Sequence, residues 1–253
     1  HVLGRAPTQR GWLLTHDTEV LTPAQAEWLE TLAQRRLAGV PLAYLTGHKA
    51  FYGLDLQVSP HVLVPRPDTE TLVDWALTLL PKDSACVLDL GTGSGAIALA
   101  LKAQRPALQI WAADRSAAAL AQARTNAERL QLEVQFHLGS WFDALPEDAP
   151  LFDLIASNPP YIAAGDPHLD DLRFEPAQAL SSGTDGLDDL RSIIRAATPH
   201  LQPGGWLLLE HGYDQAEAVQ ALLHAAGLQQ VQSRIDLGGH RRCSGARRQR
   251  IGA

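Results

Sequence analysis

What this 253-residue chain lacks narrows the field first. It has only two cysteines, Cys86 and Cys243, far apart in sequence. A disulfide scaffold and a cysteine-rich zinc site are therefore not expected, no metal site is predicted, and a reducing compartment, the cytoplasm, is. No apolar run approaches the ~20 residues that span a bilayer, so no membrane association is expected. There is no basic excess either: 21 Lys and Arg against 28 Asp and Glu leave a net charge of −7. A general nucleic-acid binder needs a basic face to neutralise phosphates, so direct nucleic-acid binding is not expected. Methionine is absent and the chain opens on His1, which places the expected native start upstream. What remains is an ordinary globular composition, 45% hydrophobic and 19% charged, able to bury a core. At ~150 residues per domain the length suggests one large domain with a small one.

The first part reads as helical. Thr22, Pro23 and Gln25 form a helix start, with a hydroxyl cap, a proline in the first turn and a capping-box glutamine. Trp28, Leu29, Leu32, Ala33 and Leu37 then recur on one face, and Gly39 and Pro41 end the helix. These features predict a small helical domain over 1–46. Between Phe51 and Val58, Leu54, Leu56 and Val58 alternate with Asp55 and Gln57 after a turn at Gly53, which predicts a short hairpin. A linker over 47–67 ends on the stiff run Pro65-Arg66-Pro67, and the main domain is expected over 68–253. It opens with a helix carrying Leu72, Val73, Ala76, Leu77 and Leu80 on one face.

From Ala85 onward strand-like and helix-like segments alternate. Strands are expected at 86–90, 110–113, 134–138, 151–157, 206–209 and 228–235, with helices between them and a loop over 162–184. Such alternation implies βαβ units and a mostly parallel sheet, whose ligands sit beyond the carboxyl ends of the strands.

Two motifs fall at such ends. Asp89-Leu90-Gly91-Thr92-Gly93-Ser94-Gly95 joins the first strand to its helix, where glycines let the backbone turn and approach a ligand. With Ala96 it also fits a dinucleotide fingerprint. Asp114 ends the second strand about 20 residues on, where a carboxylate can take both ribose hydroxyls. NAD and S-adenosylmethionine both remain open at this point. Asn158-Pro159-Pro160-Tyr161 follows the fourth strand. Its two prolines remove two backbone donors and fix two φ angles. The turn offers carbonyl acceptors, an amide and an aromatic face, a receptor for an NH₂ group on a planar π system. The two hydrogens can go to the Asn158 side-chain oxygen and the Pro159 carbonyl, with the planar group stacked on Tyr161.

The glycine loop followed by NPPY resembles the amino-methylating class I S-adenosylmethionine-dependent methyltransferases. More closely, the chain resembles the HemK/PrmC family, which methylates a glutamine of peptide chain release factors. The similarity is carried by Pro65-Arg66-Pro67-Asp68-Thr69-Glu70, Gly139-Ser140-Trp141-Phe142, Arg173-Phe174-Glu175-Pro176, Gly183-Thr184-Asp185-Gly186-Leu187 and Glu210-His211-Gly212. It runs from about Leu42 to Arg241, and the helical piece before it also fits but without the family's first helices.

The resemblance implies a doubly wound, Rossmann-like sheet of seven mostly parallel strands with a small N-terminal helical domain. It also implies S-adenosyl-L-methionine as donor and S-adenosyl-L-homocysteine as product. The acceptor is then the side-chain amide of the Gly-Gly-Gln glutamine in class 1 release factors. Asp89, Gly91, Thr92, Gly93, Ser94, Gly95, Asp114, Trp141 and Asn158 are the expected cofactor residues, with Trp141 near the adenine. Asn158, Pro159, Pro160 and Tyr161 are the expected catalytic and substrate-binding residues, joined by Arg66 on the substrate side. Asp68 and Glu70 are expected as helix-start acids, Asp166 and His168 as surface loop residues, His211 as structural, and the chain as a monomer.

The segment Arg242–Ala253 departs from the family: it is basic and polar where a final apolar strand belongs, so no core role carries over there. The alternative enzyme is a DNA adenine methyltransferase, which shares NPPY and flips its base into the site. The acidic chain has no spare ~100 residues for a target-recognition domain, and only the arginine-rich tail favours it. A catalytically silent fold used as a binding module is opposed by the intact glycine loop, Asp114 and Asn158.

Overall fold

The computed structural model describes residues 1–4 and 10–250. Three helices come first: α1 (Arg10–Thr15), α2 (Pro23–Leu37) and α3 (Leu42–Thr46). The capping box at Thr22 forms as expected: its hydroxyl accepts from the Gln25 N–H while the Gln25 side chain accepts from the Thr22 N–H. The apolar face of α2 is not a core face, however. None of its residues is buried, and Trp28, Leu29 and Leu37 are exposed. Only Leu32 packs partly against the small cluster formed by Val40, Tyr44, Leu45, Val58, Val62 and Val64.

The expected hairpin forms, and its first strand lies ahead of the alternating segment that signalled it. β1 (His48–Phe51) pairs antiparallel with β2 (Leu54–Gln57). Tyr52 and Gly53, both at positive φ, make the two-residue turn that suits a right-twisted ribbon. The hairpin is fixed to the main body by Asn126, fully buried on α6 (Ala117–Leu130). Its amide accepts from the Gln57 N–H and donates to the carbonyls of Gln57 and Ser94.

The main body is one sheet in the order β5 (Gln135–Leu138), β4 (Gln109–Asp114), β3 (Cys86–Leu90), β6 (Phe152–Ser157), β7 (Leu201–Glu210), β9 (Arg241–Arg247), β8 (Gln229–Ile235). The first five are parallel and β9 runs antiparallel to both neighbours. β7 starts earlier than the apolar run Trp206–Leu209, with a register shift that absorbs Pro203 and Gly204. Helices α4 (Glu70–Leu79) and α5 (Ala96–Gln104) bury one face, and α8 (Asp188–Ala197) and α9 (Ala216–Ala225) the other. The loop after β6 contains a short helix, α7 (His168–Asp171).

The C-terminal segment corrects the sequence expectation. β9 is a core strand: Cys243, Ser244, Gly245 and Ala246 are all buried between β7 and β8. A Cβ on Gly245 would lie 2.8 Å from the Trp75 ring and 2.4 Å from Leu208. The strand is made of small residues because its neighbours leave no room for large ones. The flanking arginines do not oppose this: Arg247 donates to the Gly204 carbonyl, Arg248 to that of Leu201, and Arg242 pairs with Asp236. Residues 251–253 of the same expected tail lie outside the described residues.

Candidate active site

Strand order reverses between β3 and β6, the kind of switch point where ligands of open parallel sheets bind. Leu90 and Ser157 are register partners at the carboxyl ends of these strands. The glycine loop and NPPY, far apart in sequence, therefore leave the sheet side by side. Above them lies an open cleft lined by Gly91, Thr92, Gly93, Ser94, Asp114, Trp141, Asn158 and Pro160, by Arg66 of the linker and by Thr69 just before α4.

On one wall the loop is held from below. Asp89 is fully buried and does not line the cleft. Its Oδ2 accepts from the Thr92 hydroxyl at 2.6 Å and from the Ala98 N–H at 3.2 Å. Burial pushes its carboxyl up to about 7 against the lowering effect of those two bonds. Asp89 thus holds the loop from beneath through Oδ2, while its Oδ1 is buried without a hydrogen-bond partner among the described residues. Gly95, at the N-cap of α5, also lies off the cleft wall. Gly91 sits at φ +71, and a Cβ there would meet the Trp141 ring at 3.2 Å, so the indole closes over bare backbone. Asp114 accepts from the Gly93 N–H through Oδ2 at 2.9 Å and from the Ser116 N–H through Oδ1 at 2.8 Å. Each oxygen keeps a further lone pair for a ligand. His61 and Arg115 also reach this cleft, and no motif signalled either one.

The opposite wall is assembled from distant segments. The Asn158 amide donates through Nδ2 to the Thr69 hydroxyl at 3.2 Å. Its Oδ1, and the Pro159 carbonyl, have no hydrogen-bond partner among the described residues. Tyr161 does not line the cleft. Its hydroxyl turns inward to Glu210 Oε1 at 3.4 Å, and burial raises the phenol. Pro159 also lies off the cleft wall. Glu210, at the end of β7, is 1% exposed, and its Oε2 is buried without an aligned partner. Desolvation pushes its carboxyl up to about 7, opposed chiefly by the Thr69 hydroxyl and the Arg242 guanidinium. Glu210 was legible as part of a similar segment, but nothing in the sequence signalled that its carboxyl would meet Thr69 and Tyr161.

Arg66 forms an ion pair with the buried Glu175, which also accepts from the Val64 N–H at 3.0 Å. This pair ties the linker to the loop after NPPY, and Arg173 extends the tie by donating to the Ala38 carbonyl. Glu70 accepts from the Tyr52 N–H at 2.8 Å, and Asp68 lies 3.6 Å from Arg242. Asp166 and His168 bond to each other at the surface. His211 is buried between the Gly212 carbonyl and Ser244, and burial lowers its pKa.

Comparison with known proteins agrees with this geometry. The PrmC N-terminal domain family matches residues 1–47, and the Methyltransferase small domain family matches residues 69–173. A release factor glutamine methyltransferase of Bordetella pertussis is 53% identical over 249 residues, covering 97% of this chain and 90% of its own. One from Xylella fastidiosa (strain Temecula1) is 53% identical over 232 residues, covering 90% and 84%. The crystal structure of a methyltransferase from Pyrococcus furiosus shares the fold, with a TM-score of 0.61 at 20% identity over 85% of this chain and 98% of that one.

Proposed function

The chain belongs to the release factor glutamine methyltransferase family, and from that premise we propose its reaction in detail. It transfers a methyl group from S-adenosylmethionine to the side-chain amide nitrogen of the Gly-Gly-Gln glutamine in class 1 release factors. The observation that carries this reading is the placement of the Asn158 amide, with a free Oδ1, beside the glycine loop at the switch point.

The cleft fits the donor. The Trp141 indole, packed over the bare backbone of Gly91, lines the cleft and offers a flat face on which a base can stack. Asp114 stands on the wall to accept ribose hydroxyls, and the unpaired N–H groups of the first turn of α5 suit a carboxylate. The bound donor supplies a methyl already activated on a sulfonium. The protein's task is to place a poor nucleophile, because the lone pair of an amide nitrogen is delocalised into its carbonyl. Asn158 Oδ1 and the Pro159 carbonyl accept the two N–H bonds. They orient the nitrogen and offset the positive charge it develops. No general base is needed in advance, since the proton on the methylated nitrogen is acidic enough to leave to water.

The helices before Thr46 dock the body of the release factor. A Gly-Gly-Gln loop alone offers few side chains and costs about 1–2 kcal/mol per residue to order. α2 presents exposed Trp28 and Leu29, and the Arg66–Glu175 and Arg173–Ala38 contacts hold this region against the loop that follows NPPY. Against the DNA alternative, Arg242, Arg247 and Arg248 of the tail are engaged within the fold, although Arg241 and Arg250 stay exposed.

The test is incubation with labelled methyl donor and one of three acceptors: whole release factor, a short Gly-Gly-Gln peptide, or duplex DNA. Label is expected on the release factor glutamine, with kcat/KM far above that for the peptide and no label on DNA. Equal kcat/KM for release factor and peptide would refute the docking role, and label on DNA alone would refute the reaction.

A further inference from the structure

The buried carboxyl of Glu210 has no place in the reaction as described, yet it lies under both ends of the NPPY turn. It receives the Tyr161 hydroxyl directly. On its other side stands Thr69, whose hydroxyl receives the Asn158 amide and favours the ionised form of the Glu210 carboxyl. We propose that Glu210 and Thr69 form a positioning relay that fixes which way round the Asn158 amide faces. The relay presupposes that Asn158 holds the acceptor nitrogen.

The direction follows from counting hydrogens. An asparagine amide has an acceptor end and a donor end of nearly equal shape, and only the acceptor end can receive an N–H of the substrate. A threonine hydroxyl has one hydrogen. If that hydrogen goes to Glu210, Thr69 can only accept from Asn158. Nδ2 must then face Thr69, as observed, and Oδ1 is left for the substrate. Glu210 Oε2 is buried without a hydrogen-bond partner among the described residues, which leaves it as the acceptor open to that hydrogen; bonds of this kind often close only when substrate is present.

A protonated Glu210 reverses the order. It can donate to Thr69, which can then donate to Oδ1 and turn the amide the wrong way. The relay therefore works with ionised Glu210. Several groups face this carboxyl from the elements around it: Tyr161 after β6, Asp68 and Thr69 at the start of α4, and Arg242 and Cys243 on β9. Arg242 is the positive charge among them, and it is shared with Asp68 and Asp236.

The experiment is single turnover on whole release factor at saturating donor, with donor affinity measured separately by calorimetry. Thr69→Val is expected to slow methyl transfer about 10- to 100-fold with unchanged donor affinity, and Thr69→Ser to restore the rate to within about threefold. Thr69→Val added to Asn158→Ala should slow it no further, because Thr69 acts only through Asn158. In the wild type the rate should rise with pH through about 7, and Glu210→Gln should abolish that rise. A Thr69→Val rate within about twofold of wild type beside a slow Asn158→Ala overturns the relay alone. So does a further loss in the double variant, or a pH rise that survives Glu210→Gln. A wild-type rate in Asn158→Ala overturns the role of Asn158 and the relay with it. Should Glu210→Gln fail to fold, the Thr69 series decides.

Discussion

The two walls of the cleft are built on different principles. The wall formed by the glycine loop is local: Asp89, Thr92 and Ala98 hold one another within ten residues of chain, and Asp114 bonds the loop from the adjacent strand. The wall formed by NPPY is remote. Asn158 and Tyr161 are fixed by Thr69 from the start of α4 and Glu210 from β7, with Arg242 of β9 behind them. A wall of backbone and short-range bonds binds a cofactor by shape. A wall drawn from four segments can hold one side-chain amide in one orientation, and it needs the whole sheet to be in place.

Substitutions on the two walls should therefore separate binding from turnover. The largest effect is expected at Asn158. Asn158→Ala should lower single-turnover methyl transfer roughly 10²–10³-fold, the scale of losing one preorganised polar group, while calorimetry shows near-normal donor affinity. A matching loss of donor affinity would erase the distinction between the walls.

Next comes Glu210. Its folded carboxyl is raised from 4.5 to about 7, so ionising it within the fold has a cost. Below pH 4.5 both folded and unfolded forms are protonated and there is no cost. The cost grows as pH rises from 4.5 to 7 and is complete above that. Glu210→Gln stays neutral, and it should stabilise the protein by roughly 2–3 kcal/mol at pH 8 and by little near pH 4.5. Thermal melts at the two pH values measure this. The Asp89 carboxyl, also raised, is common to both proteins and cancels in the difference. A variant more stable yet slower would mark the acceptor wall as built for function at the expense of stability.

The smallest effect belongs to the cofactor wall. Asp114→Ala should weaken donor binding by about 1–3 kcal/mol in calorimetry, with the rate at saturating donor changed far less. Unchanged affinity would remove Asp114 from the donor site.

The sequence by itself determined the features that act over short range. The Thr22 capping box, the glycine loop and the double-proline turn each depend on a few neighbouring residues and formed where expected. The alternation of strands and helices marked the parallel sheet for the same reason, since each βαβ unit carries its own periodicity. Tertiary structure alone decided the rest. The segment at 241–247 reads as a polar tail because arginines dominate it. It is a core strand because Trp75 and Leu208 leave room only for Cys243, Ser244, Gly245 and Ala246, while the arginines reach carbonyls and carboxylates at the rim. The apolar stripe of α2 is legible as one shared face and stays exposed, because periodicity shows that residues share a face but not what covers it. Asp89 reads as part of a ligand loop and lies buried beneath it, and Glu210 reads as a strand end and lies beneath the NPPY turn. A carboxylate's role depends on which groups from other strands surround it, and strand order, which no short-range pattern encodes, sets that environment.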